Sequence, residues 1–322
     1  MTGNFAIALD TSPSVISEIS ALSLHNPFYT SEYITYRNSQ GYQPWILAGD
    51  TPTQSKVYCL AFMKSGRLRR SLEIPSIPNI PTKDPFWQGL VDFCHKKGIS
   101  DLAVNSFCSQ SGVIPPLDNE KKRKTRWEHI LKLKHPDFLR KMTKGHNYCI
   151  KRAKKTGVEM QRGRDHEAVE NHARLISNSM QRRKERGETV TTSVLIENLF
   201  QLVDSGVAEI FQAVLADQIL SSNIILIAEE TGYNHTQGTS LEGMNCGAAH
   251  FLIHEIACNL RDDGKESFNL GGTDDPNPKA GLVKFKTGFG LSTERIELQS
   301  VRSTPGNVVS CLYQRFLSSI RN

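Results

Sequence analysis

Apolar residues recur along the 322-residue chain at helical and strand spacings, and the spacing assigns the elements. Ile16, Ile19 and Leu22 share a helical face, so residues 1–28 read as a helix with loops, capped by Ser12 or Ser14. Ser31 to Tyr36 suits a short helix. Trp45 to Ala48 and Val57 to Phe62 read as paired strands, and Ile74 to Pro85 as a Pro-rich loop. Phe86, Leu90 and Phe93 predict a helix over 86–97, stopped by Gly98, before a strand over Ile99 to Phe107. Asn119 to Thr125 reads as a charged connector, with a strand at Ile130 to Leu133. Pro136 to Val158 reads as a helix broken near Gly145 and ending at Gly157. Val158 to Met160 begins a strand, and Val169, Ala173, Ile176 and Met180 mark a long amphipathic helix over 166–186. A helix over Thr192 to Val203 precedes a hairpin, Ala208 to Leu215 and Ile219 to Ala228. Ala248 to Leu260 is helical, Phe268 to Leu270 and Arg295 to Leu298 are strands, and Val308 to Ile320 is a closing helix. The order predicts an α/β chain with mixed sheets, in which the second half repeats the logic of the first.

Composition narrows the class. Hydrophobic residues at 38% and charged residues at 22% suit a packed globular protein rather than a disordered one. No stretch approaches the ~18 apolar residues of a membrane span. Met1 to Thr11 lacks the basic and apolar regions of a secretory signal. Seven cysteines, none closer than 12 residues to the next, predict neither a disulfide framework nor a CxxC metal site. The expectation is a reduced, cytoplasmic protein.

Charge changes the picture more. Between Lys121 and Arg186 stand 21 Lys and Arg against 7 Asp and Glu, while the remaining residues carry a net −8. Such a concentration points to a polyanion: RNA, a nucleotide-linked substrate or a phosphate-rich cofactor. Basic runs in general are solvated helix faces. The aromatics of the segment are few (Trp127, Phe138, Tyr148), so contacts to phosphate are expected rather than base stacking.

Three segments together resemble the Fem-type aminoacyltransferases, the FemABX-like peptidoglycan bridge-forming family of the GNAT acyltransferase superfamily. His146-Asn147-Tyr148-Cys149-Ile150-Lys151-Arg152-Ala153-Lys154-Lys155-Thr156-Gly157-Val158 resembles the family's basic helix. Ala248 to Leu270, with Phe268-Asn269-Leu270-Gly271-Gly272 at its end, resembles its helix followed by F-D-L-G-G. Lys284-Phe285-Lys286-Thr287-Gly288-Phe289-Gly290 is similar to its F-K-x-x-F-G. The resemblance implies two tandem GNAT-like domains: an acceptor-side domain over 1–140, a donor-side domain over 141–303, and a C-terminal helix over 304–322 packing back on the first. It implies aminoacyl-tRNA as co-substrate, no other cofactor, and an amine acceptor on a lipid-linked or UDP-linked peptidoglycan precursor. Lys286 would stabilise the oxyanion and contact the tRNA end, and Phe285 would shape the pocket. Read without the family, a Phe-Lys pair is simply core beside surface.

Phe28 to Arg37 resembles the family's Q-S-x-E-W-x-x-V-K, with Tyr33 in place of Trp and Arg37 in place of Lys. Arg37 and Tyr33 are therefore acceptor-side candidates, since Arg binds phosphate bidentately. Arg182 and Arg183 are further phosphate candidates, and Lys151 and Arg152 would grip tRNA phosphates or a pyrophosphate. Three departures leave a small metabolite or an exopolysaccharide open as acceptor. Asn105-Ser106 stands where an Asp-Pro is common, Asn269 replaces an Asp, and the second domain has no long coiled-coil insertion.

A rival reading comes from the phosphate loop of acyl-CoA-dependent GNAT enzymes. Met244-Asn245-Cys246-Gly247-Ala248-Ala249 keeps its Gly and small end before a helix, which would set CoA against Gly247, Ala248 and Ala249. A third reading is a non-catalytic RNA-binding module. Gly271 to Pro278 lacks the spacing of a Ca²⁺ loop and reads as a turn. His250, His254 and Glu255 do not form a zincin motif, and Cys246 and Cys258 read as small packing residues.

Overall fold

The computed structural model describes residues 6–8, 19, 21–49, 57–67, 69–109, 112–135, 142–188, 195–274, 277, 280–290 and 293–305. The chain divides into two compact units. One comprises Met1–Tyr29, Arg37–Glu128 and Ile296–Asn322, the other Thr30–Tyr36 and His129–Arg295. Both are mixed α/β. No helix among the described residues is long and apolar enough to cross a membrane.

In the first unit the strands run in the order β1 (Ala6–Ala8), β2 (Gln43–Gly49), β3 (Val57–Ser65), β4 (Arg70–Ile74), β5 (Asp101–Asn105), β12 (Thr293–Ser303) and β6 (Glu120–Lys132). The expected hairpin is present, with Trp45 opposite Ala61 and Leu47 opposite Cys59. Helix α1 (Ser31–Ser39), whose residues up to Tyr36 belong to the second unit, precedes β2, and α2 (Phe86–Lys96) drives Phe86, Trp87, Leu90 and Phe93 into a core with Leu47, Cys59, Leu72 and Leu102. Gly98 ends α2 in the left-handed conformation, as its position predicts. Two expectations fail here. Residues 6–8 form a strand against β2 rather than a loop ahead of a capped helix. Residues 120–125 are not a connector: β6 begins at Glu120. Its charges hid it because basic residues, three of them exposed, occupy most of its first half, and Arg123 is held by Glu120 and by the carbonyls of Ile114 and Pro115.

In the second unit the end of β6 is followed by β11 (Ser267–Thr273), β10 (Thr231–Thr239), β9 (Gln218–Ile227), β8 (Ala208–Leu215) and β7 (Glu159–Gly163). Its helices are α3 (Lys144–Thr156), α4 (His166–Glu185), α5 (Ile196–Asp204), α6 (Leu241–Cys246), α7 (Ala248–Asp262) and α8 (Gly281–Thr287). Local signals explain most boundaries. Thr143 and Asp165 cap α3 and α4 by accepting from backbone N–H groups, and Gly157 closes α3 at φ +88°. The β8–β9 hairpin is buried along nearly its whole length, and α7 covers it with Phe251, Leu252 and Ile256.

Strand β10, reading Thr-Gly-Tyr-Asn-His-Thr-Gln-Gly-Thr, has no apolar alternation and escapes a pattern search. Partners in the fold satisfy its polar groups. The His172 imidazole bridges Ser222 (2.8 Å) and Thr236 (2.9 Å), Asn223 donates to Asn234 (3.0 Å), and Ser221 meets Thr239 (2.9 Å). Helix α4 lies directly on the strand at Gly238, where a Cβ would stand 2.6 Å from the Ile176 nitrogen. The closing helix expected over 308–320 lies outside the described residues.

Candidate active site

The chemistry of the second unit gathers where β10 and β11 part. Their parallel register runs from Thr231 opposite Ser267 to Tyr233 opposite Asn269. Next come a bulge in β10 between Asn234 and Thr236 and a left-handed Gly271 (φ +78°) in β11. A Cβ on Gly271 would lie 2.8 Å from the Asn234 carbonyl oxygen and 3.3 Å from Lys286 Nζ, so only glycine fits. Helix α8 sends Lys286 into this gap. Its side chain is 8% exposed and its Nζ donates to the carbonyls of Leu270 (2.6 Å) and Gly272 (3.1 Å). Asn269 is buried and its Oδ1 accepts from Gly271 N–H at 2.8 Å, so the Asn that replaces the family Asp keeps the acceptor that shapes the turn.

His129, at the start of the second unit's part of β6, lies fully buried beside this ammonium. Its Nε2 meets Thr273 Oγ1 at 3.2 Å, and its Nδ1 has no hydrogen-bond partner among the described residues. Burial, then the positive charges of Lys286 and Arg295, push its pKa down to about 4, so it is neutral at pH 7.

Phe285 leaves α8 in another direction and joins an aromatic cluster. Its ring lies 4.9 Å from His250 and 5.3 Å from Phe289, both edge-on, and His146 stands 4.7 Å from both His250 and Phe289. His146 Nε2 lies 2.8 Å from the Phe285 carbonyl, which can only accept, so Nε2 carries the proton and Nδ1 accepts from Thr143 Oγ at 2.7 Å. Gly288 makes this possible: a Cβ there would lie 2.1 Å from the imidazole. The G-F-G end of the motif thus lets α3 clamp α8. Burial lowers the pKa of His250 to about 4, assisted by His146 and Arg152.

The other candidate residues are distributed unevenly. Lys151 and Arg152 lie on the outer side of α3, with Lys151 exposed and Arg152 partly so. Arg183 is taken up by Glu188 (2.6 Å), and Arg182 donates to Ser179 and to the Thr239 carbonyl, which places it as a strand-end cap. In the first unit Arg37 is 7% exposed and faces Glu73 at 2.7 Å, with its guanidinium 3.9 Å above the Tyr42 ring. The geometry there is a buried ion pair rather than an open phosphate clamp. Tyr33, which belongs to the second unit, is buried and packs against Tyr36.

Gly247 (φ +87°) caps α6 and opens α7, and a Cβ on it would meet the Cys149 carbonyl at 2.6 Å. Gly247 and Ala248 are buried under the α3 backbone, and Ala249 is partly exposed. Cys246 and Cys258 both pack against the core. His254 bonds Glu255 at 2.8 Å, and Glu255 also binds Lys154 at 2.8 Å. The i, i+4 histidines therefore divide their work: His250 joins the aromatic cluster and His254 an ion pair.

Three site residues escape the sequence reading: His129, His146 as a clamp, and His250 as a cluster member. His129 is hidden by the charged run before it. For His146 the signal is Gly288, a small residue in the motif turn whose reason is steric.

The fold has known counterparts. The model of the acetyltransferase (GNAT) domain matches residues 140–281. The chain shares its fold with FemX, with a TM-score of 0.62 and 12% identity over 92% of this chain and 96% of that one. A tandem GNAT protein from the clavulanic acid biosynthesis pathway gives 0.56 and 9% identity over 95% and 99%. L-PGS from Bacillus licheniformis gives 0.53 and 12% identity over 94% and 96%. No curated protein matches the sequence. The chain therefore shares the fold of FemX and of a tandem GNAT protein, and residues 140–281 match a GNAT domain.

Proposed function

We propose that this chain, an acyltransferase fold of the Fem type, moves an aminoacyl group from the ester of an aminoacyl-tRNA to an amine. The amine belongs to a peptidoglycan precursor or a small metabolite. The observation that carries the reading is the Lys286 ammonium at the parting of β10 and β11. Its Nζ donates to two backbone carbonyls, which fix where the ammonium stands. Attack of the amine nitrogen on the ester carbon forms a C–N bond and places negative charge on the carbonyl oxygen. A fixed cation there lowers the barrier by about 3 kcal/mol. Collapse breaks the C–O bond to the ribose. The amine proton passes, directly or through water, to the leaving ribose oxygen, and the amide remains.

Acyl-CoA is the second reading, favoured by the GNAT domain match over residues 140–281. Against it stands Gly247, whose N–H already donates to the Gly243 carbonyl at 3.1 Å where a CoA pyrophosphate would need open N–H groups. The test is transfer of labelled amino acid from charged total tRNA to a pool of small amines and cell-wall precursors. An RNase-treated control and an acyl-CoA arm run in parallel. RNase-sensitive transfer is the expected result. Turnover of acyl-CoA with none from tRNA overturns the reading.

A further inference from the structure

Part of the large positive excess of residues 121–186 is met by carboxylates. Arg162 and Arg164 bind Glu209, Lys154 binds Glu255, Lys134 binds Glu266, and Arg183 and Arg186 bind Glu188. On α3, Lys144, Lys151, Arg152 and Lys155 keep no carboxylate partner among the described residues. Among these cations Tyr148 is 65% exposed, although tyrosine is an amphipathic residue that folds usually cover. Arg152, one turn on, holds its guanidinium 5.5 Å from the Tyr148 ring centroid, and its buried Nε has no hydrogen-bond partner among the described residues. His250, close to Arg152, makes ring contacts and no hydrogen bond among the described residues. It touches Phe285, the neighbour of Lys286 in the chain.

Resting on the tRNA-dependent reading, we propose that Tyr148, Arg152 and His250 form a platform for the single-stranded RNA end that carries the donor. A base stacks on Tyr148, Arg152 and Lys151 take the flanking phosphates, and the imidazole of His250 bonds a base edge or a ribose hydroxyl. Single strands offer base faces that a duplex hides, and stacking tolerates any base. Leu241 and Met244 on α6 are also exposed, which a lipid surface would use. The exposed Glu242 between them, and a guanidinium edge that needs a directional acceptor, favour RNA.

Fluorescence anisotropy with a labelled 12-nucleotide RNA ending in CCA tests the platform. Its duplex form and anionic phosphatidylglycerol vesicles serve as the other probes, and thermal melting verifies the fold of each variant. The expected result is single-strand preference, with binding about tenfold weaker in Tyr148→Ala and close to normal in Tyr148→Phe. Arg152→Ala should reduce the salt slope by about one. The proposal is overturned if the native protein ignores the RNA or if Tyr148→Ala binds it normally. It is equally overturned if Tyr148→Leu restores binding, or if Tyr148→Ala weakens only the vesicles. The transfer assay separates the two readings. Undiminished transfer from aminoacyl-tRNA by Tyr148→Ala sinks the platform and leaves the activity. RNA binding that depends on Tyr148, with no transfer by the native protein, leaves the platform and sinks the activity.

Discussion

In the first unit the buried polar groups are mainly hydroxyls that repair loops. Ser76 and Ser109 meet at 2.9 Å, Asn26 donates to Ser76, and Ser106 donates to the Gly112 carbonyl. In the second unit hydroxyls are again present, and histidines, amides and a lysine join them: His129, His146, His172, Asn223, Asn269 and Lys286. Both units share an α/β plan, yet among the described residues only the second buries imidazoles and an ammonium. A buried ionisable group costs stability unless something recovers the cost. The second unit recovers it where the strands part and where three imidazoles find partners, so reactivity is expected there.

The strongest way to break this comparison is at Lys286. Lys286→Ala should cut the transfer rate about 10²–10³-fold with an unchanged melting profile. An unchanged rate would return the residue to a merely structural role. Next comes acid. His172, His129 and His250 titrate at about 3, 4 and 4 when folded, against 6.5 when unfolded. The unfolded chain therefore binds protons first, and stability drains from the second unit as pH falls from 6.5 toward 3. Among the described residues the first unit buries no histidine, so amide exchange at pH 5 should rise in the second unit and not in the first. Gly288→Ala should cost about 1–3 kcal/mol by pushing the His146 ring off Phe285, measurable as a shift in urea midpoint together with lost transfer.

In the first unit Glu73→Gln should cost about 1–2 kcal/mol by leaving the Arg37 guanidinium without its carboxylate, and should leave donor-RNA binding intact. A variant that binds RNA poorly would tie Arg37 to the donor after all. The smallest effect belongs to His254. Burial works against its charge, but Cys258 and Glu255 raise its pKa to about 9. Its contribution is full below about 6.5 and fades as pH rises through 9. Glu255, held at about 2 by His254 and then Lys154, loses its contribution only as pH falls from 4.5 through 2. Glu255→Gln should flatten both limbs by about 0.5–1 kcal/mol, read from urea midpoints across pH.

Much of this was legible in the residues themselves. Thr143, Asp165 and Gly157 announce their helix ends, and the hairpins β2–β3 and β8–β9 follow from unbroken apolar runs. The Phe-Lys pair and the Gly-Gly turn mark the place where the strands part. What escaped has a common cause. β10 and the first half of β6 are polar strands whose side chains are satisfied by residues distant in sequence, such as His172 for Thr236 and Gln299 for Arg123. A local pattern carries no record of such partners. The Glu73 partner of Arg37 is likewise distant in sequence, whereas Arg183 meets Glu188 only five residues on.

The order of segments along the chain bears on biosynthesis. The bulk of the second unit, 129–295, is threaded between two parts of the first, whose strand β5 pairs with β12 at Ser300 opposite Asn105. Gly112 sits against the Glu297 backbone so closely that no side chain would fit. On the ribosome, everything the second unit needs has emerged while the first still lacks a central strand. The later part of the chain therefore completes its core earlier, and the unit translated first waits for residues 296–303 to close. A chain released at residue 295 should keep a protected second unit beside a first unit open to protease.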